Sequence, residues 1–166
     1  MEFGAGGSTY LATSLGKAVI SVDSSEEWLK KVAAECARVP NQPQPRLFKA
    51  DIGPTGEWGM PIDSGARNKW PIYYQGVWTR PGSVECDLHL IDGRFRVACF
   101  MSVVLRGNAN GLILFHDFFS RPHYHIVREV CREIARAGDL SAFQIPAKPD
   151  RERAEQILRD RAYDPS

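Results

Sequence analysis

The first nine residues constrain this chain most. Met1-Glu2-Phe3 is a short, mostly apolar entry, Gly4-Ala5-Gly6-Gly7 is a glycine-rich turn, and Ser8-Thr9 opens a helical segment that runs to about Leu15. Val19-Ile20-Ser21-Val22 then reads as a strand and ends on Asp23. Strand, glycine turn, helix, strand and acid make half of a nucleotide-binding unit. Glycines let the backbone turn sharply and come close to a ligand. The helix behind them presents N–H groups that have no intrahelical partner. An acid closing the second strand can accept both hydroxyls of a ribose. A dinucleotide fingerprint asks for a third glycine where this chain has Thr9, so a nicotinamide dinucleotide matches the turn incompletely.

Downstream the pattern continues as alternating helices and strands. Ser24-Ser25-Glu26-Glu27 opens a second helix, with Ser24 and Glu27 spaced as a capping box and Trp28, Leu29, Val32, Ala33 and Cys36 on one face. A proline-rich link follows, and Arg46 to Ala50 reads as a strand that ends at Asp51. From 52 to 85 the periodicity breaks into a long loop holding Trp58, Trp70, Tyr73, Tyr74 and Trp78. These aromatics are either core under the loop or part of a flap over a ligand. Cys86 to Ile91 is a strand ending at Asp92, and a helix runs from Phe95 to Arg106. Leu112 to Phe115 is a continuous apolar strand ending in His116-Asp117. The spacing predicts a helix after Pro122 with Ile126, Val127, Val130, Cys131 and Ile134 inward, stopped by Gly138. One more strand, 140–145, and a charged helical tail docked by Ala154, Ile157 and Leu158 complete the chain.

This order predicts an α/β fold with a doubly wound, mostly parallel sheet of about six strands and helices on both faces. Residues 1–146 form the ligand-binding domain, and 147–166 the helical tail. In such a sheet ligands bind beyond the carboxyl ends of the strands. Glu2 and Gly4, Asp23, Asp51, Asp92, and His116 with Asp117 fall at the ends of strands one to five. A single acid at a strand end is usually a helix cap, but a set of five on one rim is hard to assign to packing.

The formal net charge is +1, from 21 basic and 20 acidic residues, and gives no reason to expect nucleic acid or an anionic membrane as a partner. No apolar run reaches the length of a bilayer span and no signal-peptide pattern is present. The 4 cysteines are widely spaced, with no C-x-x-C pair, and read as reduced thiols. A soluble cytoplasmic protein is the expectation.

Glu-x-Gly-x-Gly-Gly at 2–7 resembles motif I of class I S-adenosylmethionine (SAM) methyltransferases. Leu90-Ile91-Asp92-Gly93, a helix, a Gly111-led strand and His116-Asp117 are similar to the O-methyltransferase branch, which includes catechol, caffeoyl-coenzyme A and macrocin O-methyltransferase-like proteins. The resemblance implies SAM as cofactor and a small-molecule acceptor. It implies Glu2, Gly4 and Gly6 at the methionine moiety, with Ser8 also among the cofactor-binding residues. Asp23 falls at the ribose, Asp51 near the adenine, and Asp92 where cofactor and acceptor meet. In metal-dependent members, acids matching Asp92 and Asp117 hold a divalent cation, so Mg²⁺ is a candidate here.

Asn110 replaces the first glycine of the usual pair before strand five, and Arg94 stands where metal-dependent members carry an acid or His. Arg94 opposes a metal and suits a carboxylate or phosphate on the acceptor, or a helix cap. His116 and Asp92 are the candidate catalytic bases, ahead of His123 and His125. Methyltransferases of this type carry helices ahead of the first strand. Here that strand starts almost at Met1, which predicts either a truncated form or an acceptor site that is open or completed by a partner, such as a second copy in a homo-oligomer. O-methyl transfer to a small hydroxylated or carboxylated acceptor is the leading expectation. The alternatives are a SAM- or S-adenosylhomocysteine-binding module without turnover and, behind it, a nicotinamide-dependent oxidoreductase.

Overall fold

In the computed structural model, which describes residues 1 to 166, the elements follow the chain in this order. They are β1 (Glu2–Phe3), α1 (Gly7–Ser14), β2 (Ile20–Asp23), α2 (Glu26–Cys36), β3 (Arg46–Lys49), α3 (Ile72–Gln75), β4 (Leu88–Ile91), α4 (Arg96–Arg106), β5 (Leu112–Phe115), β6 (Arg132–Ala137), β7 (Leu140–Gln144) and α5 (Arg151–Arg161). One sheet of 7 strands contains them in the order β3-β2-β1-β4-β5-β7-β6. Strands β1 to β5 run parallel, and β7 and β6 close the far edge antiparallel. The chain moves outward from β1 to β3 and then returns to the other side of β1 with β4. Crossovers therefore diverge between β1 and β4, the place in such a sheet beyond whose strand ends ligands bind.

Alternation along the strands assigns the faces. Phe3, Val22, Phe48, Ile91, Phe115 and Phe143 point toward α3, α4 and α5 and join a core of 31 buried residues. Glu2, Ser21 and Leu47 point the other way, toward α1 and α2, where the core is 4 residues: Ala5, Leu29, Val32 and Cys36. Most of the apolar burial that drives folding is thus on the α4 side. Phe100 of α4 is fully buried against Phe115 (5.9 Å between centroids) and Phe143 (5.2 Å), and its truncation to Ala costs about 3–5 kcal/mol at such a site. All residues from Arg96 to Val104 are buried because α5 covers the outer side of α4 with Ala154 and Ile157. Asp150 caps α5 by accepting the Arg153 N–H at 3.0 Å.

Several expectations change. The sheet has 7 strands, because the helix anticipated from Pro122 to Gly138 is two things. A 3₁₀ segment covers Pro122–Glu129, and Arg132 to Ala137 is β6, joined to β7 by the two-residue turn Gly138-Asp139. Val127, Val130 and Cys131 are buried as predicted, whereas Ile134 lies on the exposed edge strand at 45 %. Arg132, Glu133 and Arg136 charge that edge, which protects it from pairing with another strand. The cap of α2 is Ser25, whose Oγ accepts the Trp28 N–H, rather than Ser24, and Trp28 is largely exposed rather than inward.

Residues 52–85 resolve into short helical turns. Trp70, Tyr73 and Tyr74 are buried and Trp78 packs against the same core, so most of the loop's aromatics are core; Trp58, 87 % exposed, is the exception. Helices cover both faces of the sheet, with one gap. On the α1 side, β4 and β5 present Leu88 and Leu112 to solvent, at 47 % and 36 %.

Candidate active site

The turn after β1 is built from below. Glu2 is 3 % exposed, and its carboxylate accepts hydrogen bonds from the hydroxyls of Ser8, Thr9 and Ser21. A buried carboxylate needs such donors. Here they tie β1 to the first turn of α1 and to β2. Glu2 and Ser8 therefore brace the turn from inside. Gly4 has φ +102°, and a Cβ added there would stand 2.7 Å from the backbone nitrogen of Gly93. Only glycine fits, because the turn after β1 packs directly on the turn after β4. Gly6 and Gly7 differ: an added Cβ meets only the Trp28 ring at 3.9 Å at Gly6, and nothing within 4 Å at Gly7. Their faces are open to a ligand.

Asp23 closes β2 beside this turn. Its Oδ1 accepts the Ser25 N–H at 2.9 Å and its Oδ2 the Ala5 N–H at 3.3 Å. Burial raises its pKa, against the lowering effect of these N–H groups and of Arg94. Trp28 donates from Nε1 to the Ala5 carbonyl at 2.7 Å and holds the turn from the α2 side. Asp51 is exposed at the end of β3, accepts the Gly53 N–H at 3.1 Å and pairs with Lys69 at 3.0 Å, contacts that lower its pKa, the lysine first. The segment around Gly59 rests against Ser24 and Arg94, so a piece of the long loop spans the rim between the ends of β2 and β4. A surface hollow lined by Asp51, Lys69, Ile72, Gln75, Trp78 and Arg106 lies outside this rim, since neither the glycine turn nor Asp92 nor His116 lines it.

Beyond β4 and β5 the chain brings Asp92, His116 and Asp117 together, with ligand-type atoms all within 4.8 Å of one another. His116 Nδ1 is 2.9 Å from Asp92 Oδ1 and 3.2 Å from Asp117 Oδ1. Its ring is 48 % exposed, and Nε2 makes no hydrogen bond within the chain. Beneath them lies Arg96, with a side chain 3 % exposed. Its Nε donates to the Gly93 carbonyl (2.9 Å), Nη1 to the His116 carbonyl (2.8 Å) and Asp117 Oδ2 (3.0 Å), and Nη2 to the Asp92 carbonyl (3.1 Å). Nη2 also pairs with Asp92 Oδ1 at 3.3 Å, so every nitrogen of the guanidinium is engaged. Arg121 pairs with the same Asp117 oxygen at 3.0 Å.

A strained residue sets this arrangement. Phe95, just before α4, has φ +53°, a conformation disfavoured for a bulky side chain. It is fully buried against Trp70 and Tyr73, each at 5.6 Å between centroids, and that packing fixes the turn. With Phe95 anchored below, Arg94 reaches the rim and Arg96 lies under it. Arg94 donates its backbone N–H to the Tyr73 hydroxyl at 3.2 Å. Its guanidinium has no ion pair or hydrogen bond in the chain, and its Nε is buried without a partner. Burial, and then the neighbouring Arg96, lower its pKa.

The rim therefore assembles Gly6, Asp23, Asp92, His116 and Asp117, while Glu2 and Ser8 lie beneath it and Asp51 to one side. His123 and His125 do not join the cluster: they contact Ser166 Oγ (3.3 Å) and the Phe118 carbonyl (3.1 Å). Sequence reasoning missed Arg96 and Arg121. The available signal was spacing, Asp92 to Arg96 and Asp117 to Arg121 each being i,i+4.

No family model and no curated protein matches the chain. A solved structure does: a methyltransferase-like protein from Silicibacter pomeroyi is 34 % identical with a TM-score of 0.89, over 99 % of this chain and 86 % of that one.

Proposed function

Because the chain belongs to the methyltransferase-like family, we propose that it binds SAM on the turn after β1 and transfers its methyl group to a small hydroxylated or carboxylated acceptor. The observation that carries this reading is the pairing, on one rim, of a nucleotide-type turn with an exposed imidazole backed by carboxylates. The open faces of Gly6 and Gly7 admit the methionine part of SAM. Asp23 retains one free lone-pair direction on each oxygen for the ribose hydroxyls.

In the reaction the acceptor oxygen attacks the SAM methyl carbon in line with the departing sulfur. An O–CH₃ bond forms, the S⁺–CH₃ bond breaks, and S-adenosylhomocysteine leaves neutral at sulfur. The sulfonium is already a good leaving group, so the protein's task is to position the acceptor and take its proton. His116 Nε2 faces outward for that proton, and Asp92 and Asp117 beside Nδ1 stabilise the resulting imidazolium. A carboxylate acceptor arrives ionised and needs no base. The unpaired guanidinium of Arg94 recognises an anionic group on the acceptor. No helix is long and apolar enough to cross a membrane. The free cysteines suit a reducing compartment, and on that ground we infer a cytoplasmic setting for the reaction.

The test is calorimetric titration with SAM, S-adenosylhomocysteine and NAD⁺ in parallel, followed by an acceptor screen of hydroxy- and carboxy-aromatics. Binding of the first two, with methyl transfer in the screen, is the expected result. Binding without transfer to any acceptor points to a SAM-binding module. NAD⁺ binding alone, or no binding at all, overturns the proposal.

A further inference from the structure

Asp92, His116 and Asp117 have the spacing of a cation's ligands, and their resemblance to a metal-binding set raises Mg²⁺ as a candidate. The residues around them do not fit one. Each carboxylate already faces a cation that cannot move aside. Asp92 Oδ1 lies between Arg96 Nη2 (3.3 Å) and His116 Nδ1 (2.9 Å). Asp117 Oδ2 lies between Arg96 Nη1 (3.0 Å) and Arg121 Nη2 (3.0 Å), and its Oδ1 faces His116 Nδ1 at 3.2 Å. Two carboxylates and two guanidinium groups cancel, so an arriving dication finds no net negative charge to bind.

Arg96 is also fixed by backbone. Three of its five contacts are main-chain carbonyls, of Asp92, Gly93 and His116, which no rotation of an aspartate releases. Prising the carboxylates away would leave a buried guanidinium short of its counter-charges, a strongly unfavourable state. The same three carbonyls belong to the turns after β4 and β5, so Arg96 holds together the two chain segments that carry Asp92 and His116.

We propose that Arg96 is the resident cation of this rim, standing in for a divalent ion between Asp92 and Asp117, so that acceptor activation depends on His116 and Asp92 without a metal. The exclusion of metal stands on the geometry alone; its consequence for activation rests on the methyl-transfer reading.

Mn²⁺ binding to the purified full chain, read by electron paramagnetic resonance, tests the first part with no cofactor or acceptor present. The wild-type protein should show no saturable binding below about 1 mM, and Arg96→Gln should gain a site at least about tenfold tighter. That new site should vanish when Asp117→Asn is added. Arg96→Lys keeps the charge and should exclude Mn²⁺ as the wild type does. It also supplies the variant comparison if Arg96→Gln does not fold. Wild-type binding that Asp117→Asn abolishes, a folded Arg96→Gln with no gain, or Mn²⁺ binding by Arg96→Lys would each overturn the proposal. For activation, transfer should be unchanged in EDTA, and loss of activity restored by Mg²⁺ would refute that part. A wild-type chain that binds neither SAM nor Mn²⁺ sinks the methyl-transfer reading and leaves the metal exclusion standing.

Discussion

Asp23→Asn separates the proposed ribose-binding role of this residue from its structural one. The two carboxylate oxygens offer about four lone-pair directions, and two of them are taken by the N–H groups of Ser25 (2.9 Å) and Ala5 (3.3 Å). The remaining two match the two hydroxyls of a ribose. Asparagine keeps the shape, removes the charge and turns one acceptor into a donor, so at least one charge-assisted hydrogen bond to the ribose is lost. Such a bond is worth about 1.5–3 kcal/mol, which weakens binding by about 10- to 150-fold. Calorimetry with S-adenosylhomocysteine, which is chemically stable, measures this directly.

Folding is expected to change little in that variant. Burial raises the pKa of Asp23 in the folded protein, so its ionised form at neutral pH costs stability relative to the unfolded chain. The neutral amide removes that cost while giving up one backbone acceptor, and the two effects oppose each other. A melting temperature within a few degrees of wild type should accompany the affinity loss. Acidification adds an independent signature: wild-type affinity should weaken as Asp23 protonates, its pKa raised by burial, while the variant's should not. A folded Asp23→Asn that binds S-adenosylhomocysteine within twofold of wild type would refute the ribose assignment.

His116→Gln should cut kcat about 100-fold or more toward a hydroxyl acceptor with SAM affinity unchanged, and a carboxylate acceptor should be affected much less; equal loss for both would argue against a base. His89 is fully buried with neither ring nitrogen hydrogen-bonded, and burial pushes its pKa down to about 4. The unfolded chain takes this proton first, near 6.5, so the stability associated with neutral His89 is present above that pH and is lost as pH falls toward 4. From pH 7.5 to pH 5 the loss is about 2 kcal/mol by linkage. Urea titrations should show that loss in the wild type and a smaller one in His89→Leu, and parallel pH profiles for the two proteins would rule out His89 as the source.

The sheet was legible because its signals are local. Apolar runs ending in acids, glycine turns and helical periodicity come from neighbours in sequence, and β1 to β5 follow them. The error at β6 had a local cause too. Val127, Val130 and Cys131 are spaced like a helix face, and their burial is real. But Arg132 to Ala137 pairs with β7 through the turn at Gly138, and tertiary pairing decides such short ambiguous runs. The aromatics of the long loop were unreadable for a related reason. Whether Trp70 and Tyr73 are core or flap depends on Phe95, more than 20 residues away, into which both pack.

The site was legible as a set of positions but not as a set of roles. Asp23, Asp51, Asp92 and Asp117 lie at or just past strand ends while Glu2 opens β1, and each role depends on a partner supplied from elsewhere in the fold. Glu2 lies under hydroxyls from α1 and β2 and braces the turn. Asp51 pairs with Lys69, 18 positions on. Asp117 shares one oxygen between two arginines, one of them from α4. Only Asp23 and Asp92 combine partial exposure with acceptor capacity facing the rim. The sequence placed a cation near Asp92 and Asp117 and chose Arg94; the strained turn at Phe95 instead puts Arg96 beneath the carboxylates and leaves Arg94 unpaired. One backbone conformation, held by buried aromatics, thus separates two arginines two residues apart: one balances the charge of Asp92 and Asp117, and the other is left unpaired at the position proposed above for an anionic group of the acceptor.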